Sequence, residues 1–90
     1  GRWKTSIVCQ IDGTRPGSLY HILAEFAQNE VNLTKIESRP ARTGLGAYLF
    51  FLVMEGGACD PRVQSALQAV EEKSIWFKNL GSYLTLDWQR

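Results

Sequence analysis

The sequence predicts an α+β domain in which two helices cover one face of a four-stranded antiparallel sheet, in the order β-α-β-β-α-β. Four segments carry strand-like runs of apolar residues, and two others repeat apolar residues at helical spacing. Turn residues separate these segments along the chain. Ninety residues suffice for one domain, so we assign residues 1–90 to it, with a core over about 5–83.

The first strand and the first helix are predicted from two different periodicities. Thr5–Ile11 alternates, which places Ile7, Cys9 and Ile11 on one face of a strand. Residues 12–17 contain two glycines and a proline and are predicted to form a loop. The segment 18–28 is predicted to be an amphipathic helix, because its apolar residues follow the i, i+3, i+4, i+7 rule: Leu19, Ile22, Leu23 and Phe26.

Two further strands are predicted in the middle of the chain, over 31–39 and 47–55. The apolar phase of the earlier strand breaks between Leu33 and Ile36, which indicates a bulge or an irregular strand end. The glycine-containing segment 43–46 is expected to turn the chain into the later strand.

A second helix and a fourth strand complete the order. Asp60 is a good N-cap, and Pro61 suits the first helical position because proline lacks the donor that is unused there. Apolar residues at helical spacing then continue to about Lys73. Residues 74–83 are predicted to be a strand, and 84–90 receive no assignment. The arrangement is that of a ferredoxin-like two-layer sandwich.

The composition excludes several functional classes. The chain is 44% hydrophobic and 21% charged with a net charge of +1, so we expect neither disorder nor a surface for nucleic acid or membranes. Cys9 and Cys59 lack metal-ligand spacing and are expected to be reduced in a cytosolic protein. His21 has no partner at ligand spacing, so we predict no metal, no cofactor and no catalytic residue.

The third predicted strand is apolar on both faces, which predicts an interface. Its alternating sets are Tyr48, Phe50, Leu52 and Met54 on one side and Leu49, Phe51 and Val53 on the other. The fourth strand adds Trp76 and Leu80 opposite Ile75 and Phe77. A lone domain in water would need only one apolar sheet face, so we expect self-association through this surface or through the edge of the second strand.

The loop before the first helix is the first candidate binding element. Pro16, Gly17, Ser18 and Leu19 lie where the first amide groups of a helix have no internal acceptor. Such amides and the positive end of the helix dipole suit a carboxylate, and glycine permits close approach. Taken alone, a Pro-Gly pair before a helix is most often explained by ordinary turn chemistry.

The second candidate element is the second strand with its approach. Asn32 both donates and accepts hydrogen bonds, and Leu33 offers an apolar wall. Glu37 suits an ammonium group, whereas Arg39 suits a carboxylate through its planar fork; Ser38 lies between them. A purely structural Glu37–Arg39 pair explains the same residues equally well.

Taken together, "RPGSLY", "NLTKIESRP", "TGLGAY" and "LGSY" resemble the ACT domain of prephenate dehydratases, from about residue 5 to 83. The resemblance implies a regulatory domain that binds L-phenylalanine between two copies, through the nine candidate residues named above. Ser18 stands where many members carry alanine. A catalytic dehydratase domain would precede it in the parent enzyme, which would be cytoplasmic, or plastidic in a plant.

Two alternatives remain open on the sequence. The regulatory domain of aromatic amino acid hydroxylases carries similar "NLT" and "IESRP" residues, although "TGLGAY" and "LGSY" resemble the dehydratase pattern more closely. A dimerisation module with a degenerate site is the other alternative, and retention of both candidate elements argues against it.

Overall fold

The structure is a computed structural model, which describes residues 2–40 and 47–86. Its strands and helices follow the predicted order. They are β1 (Arg2–Asp12), α1 (Ser18–Gln28), β2 (Leu33–Pro40), β3 (Ala47–Glu55), α2 (Pro61–Lys73) and β4 (Trp76–Thr85). The turn predicted at 43–46 lies outside the described residues.

One antiparallel sheet contains the four strands in the order β2-β3-β1-β4, so β2 and β4 are its edges. The first strand is longer than the sequence predicts, and the last strand has the predicted length but lies two residues later, at Trp76–Thr85 instead of 74–83. Arg2 pairs with Thr85 and Trp3 with Leu84, so β1 starts before Thr5 and β4 continues beyond Tyr83. Ladder pairing with a neighbouring strand extends both of them, and this long-range contact leaves no local signal in the sequence.

The core lies between the helices and the face of the sheet that they cover. Ile7, Cys9, Leu52 and Met54 contribute the sheet side, and all four are fully buried. The helices contribute a further apolar stripe, which is also almost fully buried: Ile22, Phe26, Val63, Ala66 and Val70. The periodicities that predicted the elements therefore also identify the core.

The opposite face of the sheet is here called the open face. It is also partly apolar, as the two-sided apolar pattern of the third strand predicts. Leu49, Phe51 and Val53 lie on it beside Val8 of β1. Phe51 is 37% exposed because no helix covers this side. The apolar open face is confirmed; self-association through it stays a prediction.

Two irregularities shift the register of the edge strands. The pairing of β2 with β3 shifts between Leu33 and Lys35, which confirms the irregularity predicted there. The pairing of β4 with β1 shifts opposite Ser6 and Ile7, which leaves Leu80 as the extra residue. The bulge resets the phase of β4 after Leu80, so that Gly81 and the residues beyond it no longer follow the alternation that starts at Trp76. The placement of Leu80 on the face of Trp76 stays a prediction.

Candidate functional site

The loop before α1 ends in a left-handed residue. Gly17 has φ of 80° and is the N-cap of α1 without a side-chain hydrogen bond to the helix. The backbone N–H of His21 donates to the carbonyl of Gly17 at 3.0 Å, and that of Ser18 donates to Arg15. Among the described residues, the amides of Leu19 and Tyr20 have no acceptor. The predicted free donors of the helix therefore exist at this position.

A groove opens beside these amides, here called the loop groove, with a volume of about 320 Å³. All four loop candidates line it: Pro16, Gly17, Ser18 and Leu19. The remaining lining residues are contributed by β1, the loop, α1 and β3: Ile11, Gly13, Arg15, Tyr20, Tyr48 and Phe50. The groove thus combines apolar walls with one guanidinium and the helix amides.

Sequence reasoning did not assign Tyr48 and Phe50 to the site. The rings of Tyr48 and Phe50 lie 6.5 Å apart between centroids and form the wall contributed by β3. Tyr48 lies opposite Ile11 in the β1–β3 pairing, next to the loop that follows β1. A correct prediction of the sheet order would have identified Tyr48, because it places the start of β3 beside the end of β1.

Asn32 and Leu33 lie at the other end of the sheet. The carbonyl of Asn32 accepts a hydrogen bond from the amide of Glu55 at 2.9 Å, and Leu33 pairs with Met54. Tyr48, at the loop groove, is six residues from Met54 along β3, which is about 20 Å at ~3.3 Å per residue. One amino acid cannot reach both sets of candidate residues within a single chain.

The last three candidates divide between the two faces of β2. Ser38 lies opposite Phe50, on the helix-covered face near the loop groove. Glu37 and Arg39 lie on the open face, where Glu37 forms ion pairs with Lys35 at 3.1 Å and with Arg39 at 3.4 Å. Hydrogen bonding from Lys35, and secondarily from Arg39, lowers the pKa of Glu37.

β2 is an edge strand of the sheet, and its pairing with β3 ends at Pro40, which lies opposite Tyr48. Proline lacks only the N–H donor, and an edge strand tolerates that loss on its unpaired side.

Three further features of the described residues concern metal binding, thiol chemistry and membranes. Within 2–40 and 47–86 no three His, Cys, Asp or Glu side chains form a group that could hold a metal ion. Cys9 is buried, and this burial raises the pKa of its thiol, which disfavours the reactive thiolate. Neither of the two described helices is long and apolar enough to cross a bilayer.

The model of the ACT domain family matches residues 5–72, most of the chain. The chain belongs to the ACT domain family. Among curated relatives, prephenate dehydratase of Mycolicibacterium vanbaalenii is 45% identical over 87 residues, 97% of this chain and 28% of the relative. That of Methanocaldococcus jannaschii is 39% identical over 85 residues, 94% of this chain and 30% of the relative. This ACT domain thus spans less than a third of those relatives.

A solved structure of a relative has the same fold as this ACT domain. Prephenate dehydratase from Arthrobacter aurescens, in complex with L-Phe, superposes with a TM-score of 0.86 at 40% identity. The match covers 93% of this ACT domain and 28% of that chain. The predicted family and fold are therefore confirmed. The match to a small part of each enzyme fits a regulatory domain.

Proposed function

We propose that this ACT domain is the regulatory module of a prephenate dehydratase and that it binds L-phenylalanine between two copies of itself. The observation that carries the proposal is the solved relative in complex with L-Phe, which has the same fold over nearly the whole domain. The parent enzyme would convert prephenate to phenylpyruvate, and the domain would inhibit it when the end product accumulates. We place that enzyme in the cytoplasm, or in the plastid of a plant.

The loop groove supplies one half of the proposed site. The free amides of Leu19 and Tyr20 suit the carboxylate of an amino acid, and Arg15 adds a positive charge beside them. Apolar walls suit the ring. Burying a phenyl group of about 150–200 Å² contributes roughly 4–5 kcal/mol, and the loss of ligand freedom offsets part of this. Apolar burial by itself thus corresponds to millimolar affinity at best, and ion pairs and hydrogen bonds to the charged ends of the ligand must add roughly 4 kcal/mol to reach the micromolar range that we expect.

A second copy would supply the other half. Because β2 is an edge strand, its unpaired side is available to β2 of another copy. Antiparallel pairing of two such strands places Leu33 of each copy near Pro40 of the other, since these residues are the two ends of β2. Pro40 lies opposite Tyr48, so Asn32 and Leu33 of one copy would approach the loop groove of the other.

Regulation then follows from linkage. Phenylalanine binds the paired arrangement of the domains more tightly than other arrangements, and it shifts the parent enzyme toward that state by the difference in binding free energy. A coupling of about 1–3 kcal/mol changes the population ratio by roughly 5- to 150-fold.

Thermal unfolding of the domain with each of the twenty amino acids tests the ligand. A ligand of the native state raises the melting temperature, and we expect L-phenylalanine to give the largest increase. Sedimentation on the same samples should show a dimer that phenylalanine stabilises. A monomer with and without phenylalanine would refute the interface, and the absence of any stabilisation by phenylalanine would refute the ligand.

Mixing two variants tests whether the site is shared between copies. Gly17→Val damages the loop groove and Asn32→Ala damages the second element, so each variant alone should lose binding. In an equimolar mixture half of the dimers contain both variants, and each of these has one intact shared site. Binding should therefore return to about a quarter of the sites. If each site lies within one chain, mixing restores nothing.

A further inference from the structure

The helix-covered face of the sheet continues beyond the helices at one end. Trp3 of β1 pairs with Leu84 of β4, and both side chains lie on the face that carries Ile7 and Cys9. Ile7 and Cys9 are fully buried, whereas Trp3 is 53% and Leu84 58% exposed. Leu86, just after β4, is 72% exposed. Trp3 and Leu84 thus form an exposed apolar pair beyond the part of this face that the helices cover, and Leu86 follows two residues later.

A groove of about 690 Å³ adjoins this patch and is here called the terminal groove. Small residues line most of it beside the indole of Trp3: Gly56, Gly57, Ala58, Cys59 and Ser82. The amide of Gly56 donates to the carbonyl of Trp3 at 2.8 Å, and a Cβ on Gly57 would lie 3.3 Å from Cγ of Trp3. One side of the indole therefore packs against the glycine backbone, and its other side remains available for contact with another protein surface.

Within the part of the chain that the structure describes, the charged residues beside the terminal groove form ion pairs. Asp60, on its rim, forms an ion pair with Arg62 at 3.1 Å, and Arg2 lies 3.8 Å from Glu55. An apolar patch with neutralised neighbours suits an apolar protein surface better than a charged ligand.

The two ends of the fold meet at the same place. Arg2 pairs with Thr85, so polypeptide joined on either side of the domain would leave it beside Trp3 or Leu86. In the prephenate dehydratases described above, about 70% of the length lies outside the matched segment. A tethered segment reaches a neighbouring surface at an effective concentration in the millimolar range, which a separate copy does not have.

We propose that the terminal groove, with Trp3, Leu84 and Leu86, is the docking surface for the rest of the parent polypeptide. The inference rests on the proposed function only in taking the domain to be part of a longer enzyme. Docking here fixes the domain next to the connecting segment, so that a change in the pairing of two domains along the β2 edge is transmitted as a rigid-body movement.

The alkylation rate of Cys59 provides the test, because this thiol is exposed and lines the terminal groove, whereas Cys9 is buried and serves as an internal control. Peptide mass spectrometry after brief iodoacetamide treatment compares the isolated domain with the full-length chain from the same gene. We expect Cys59 to react at least about tenfold more slowly in the full-length chain, since docking covers it.

Two variants of the full-length chain distinguish docking from other causes of slow Cys59 alkylation. Trp3→Ala removes the side chain that packs in the terminal groove and should return the Cys59 rate toward that of the isolated domain. Trp76→Ala removes an exposed aromatic side chain from the open face and should leave Cys59 protected. Equal rates in the isolated domain and the full-length chain overturn the proposal, as does a gene that encodes no further polypeptide.

The same experiment also detects the case in which a second copy of the domain, instead of the parent chain, covers the terminal groove. In that case the isolated domain itself shows Cys59 protection that increases with protein concentration, and this result overturns docking of the parent chain. Phenylalanine stabilisation of the isolated domain, measured on the same samples, reports on the proposed function alone. Trp3→Ala should preserve that stabilisation because the loop groove lies at the other end of the sheet and β3 separates Trp3 from the β2 edge.

Discussion

Arg39 donates a hydrogen bond of 3.4 Å to the carboxylate of Glu37, and both side chains lie on the open face, away from the loop groove. This arrangement matches the structural pairing that the sequence left open. It also removes Arg39 as a carboxylate ligand within its own chain, whereas Arg15 lines the loop groove directly.

Gly17 should be sensitive to any side chain, for a conformational reason. Its φ of 80° is costly for other L-residues, although a Cβ would meet only His21, at ordinary contact distances of 3.8 Å and more. We expect Gly17→Ala to lower the free energy of unfolding by about 1–2 kcal/mol and to weaken phenylalanine binding. Urea denaturation and calorimetric titration measure the two effects. Gly17→Asn is the control, because asparagine tolerates the left-handed region and should cost less stability.

Adjacent residues of β3 should respond differently to truncation. Leu52 is fully buried among the helices, and Leu52→Ala is expected to cost about 2–5 kcal/mol in unfolding free energy. Phe51, on the open face, is 37% exposed, so Phe51→Ala should cost less, about 1–2 kcal/mol in the monomer. Chemical denaturation at low protein concentration compares them. If Phe51→Ala lowers the unfolding free energy by more than this, and the reduction grows with protein concentration, the open face is buried in an oligomer.

Local patterns in the sequence were sufficient to predict the elements and the core. The helix start at Asp60 is one example: its side chain accepts a hydrogen bond from the amide of Arg62 at 2.9 Å, as the residue type predicts. The strand extensions at Arg2 and Thr85 could not be predicted in this way, because each depends on the other strand.

Long-range geometry also limited what the sequence revealed about the site. Residue types identified the loop and β2 as candidates, but the separation of Asn32 from Pro16 depends on the sheet order. The period of two in a strand likewise determines that Ser38 and Glu37 face opposite sides, once the register is known. The sequence therefore supplied the candidate groups, and the fold decided which of them lie together in one chain.

The N-cap of α2 should give the domain a specific acid sensitivity. Hydrogen bonds from the side chain and the backbone amide of Arg62 lower the pKa of Asp60 from its ordinary 3.8. A group whose pKa is lower in the folded state contributes stability above its unfolded pKa and loses it as pH falls through the folded value. The melting temperature should therefore fall below about pH 4.

Asp60→Asn isolates that contribution. Asparagine keeps the cap acceptor but cannot ionise, so the variant should be less stable than the wild type at neutral pH and should approach it below pH 4. Asp12 and Glu37 also have lowered pKa values, but they titrate in both proteins. Their effect therefore cancels when the melting temperature of the variant is subtracted from that of the wild type at each pH. A difference that does not change with pH would contradict a role for the Asp60 charge.

Selectivity among aromatic amino acids tests the ligand most directly. Ile11, Leu19 and Phe50 give the loop groove apolar walls, and burying a phenolic hydroxyl there without a partner costs about 1–3 kcal/mol. L-phenylalanine should therefore bind about tenfold or more tightly than L-tyrosine. Aliphatic amino acids lose contact area with these walls and should also bind more weakly. Competitive calorimetric titration measures the order of affinities.

The hydroxyl groups of Tyr20 and Tyr48 are the local features able to reverse this preference, because both residues line the loop groove. Tyr20→Phe and Tyr48→Phe remove these hydroxyls one at a time and should leave phenylalanine affinity unchanged, since its ring needs no hydrogen bond. If either hydroxyl pairs with tyrosine as ligand, the corresponding variant loses tyrosine affinity alone. Equal affinities for the two amino acids in the unaltered domain, or tighter binding of tyrosine, would overturn its assignment as a phenylalanine sensor.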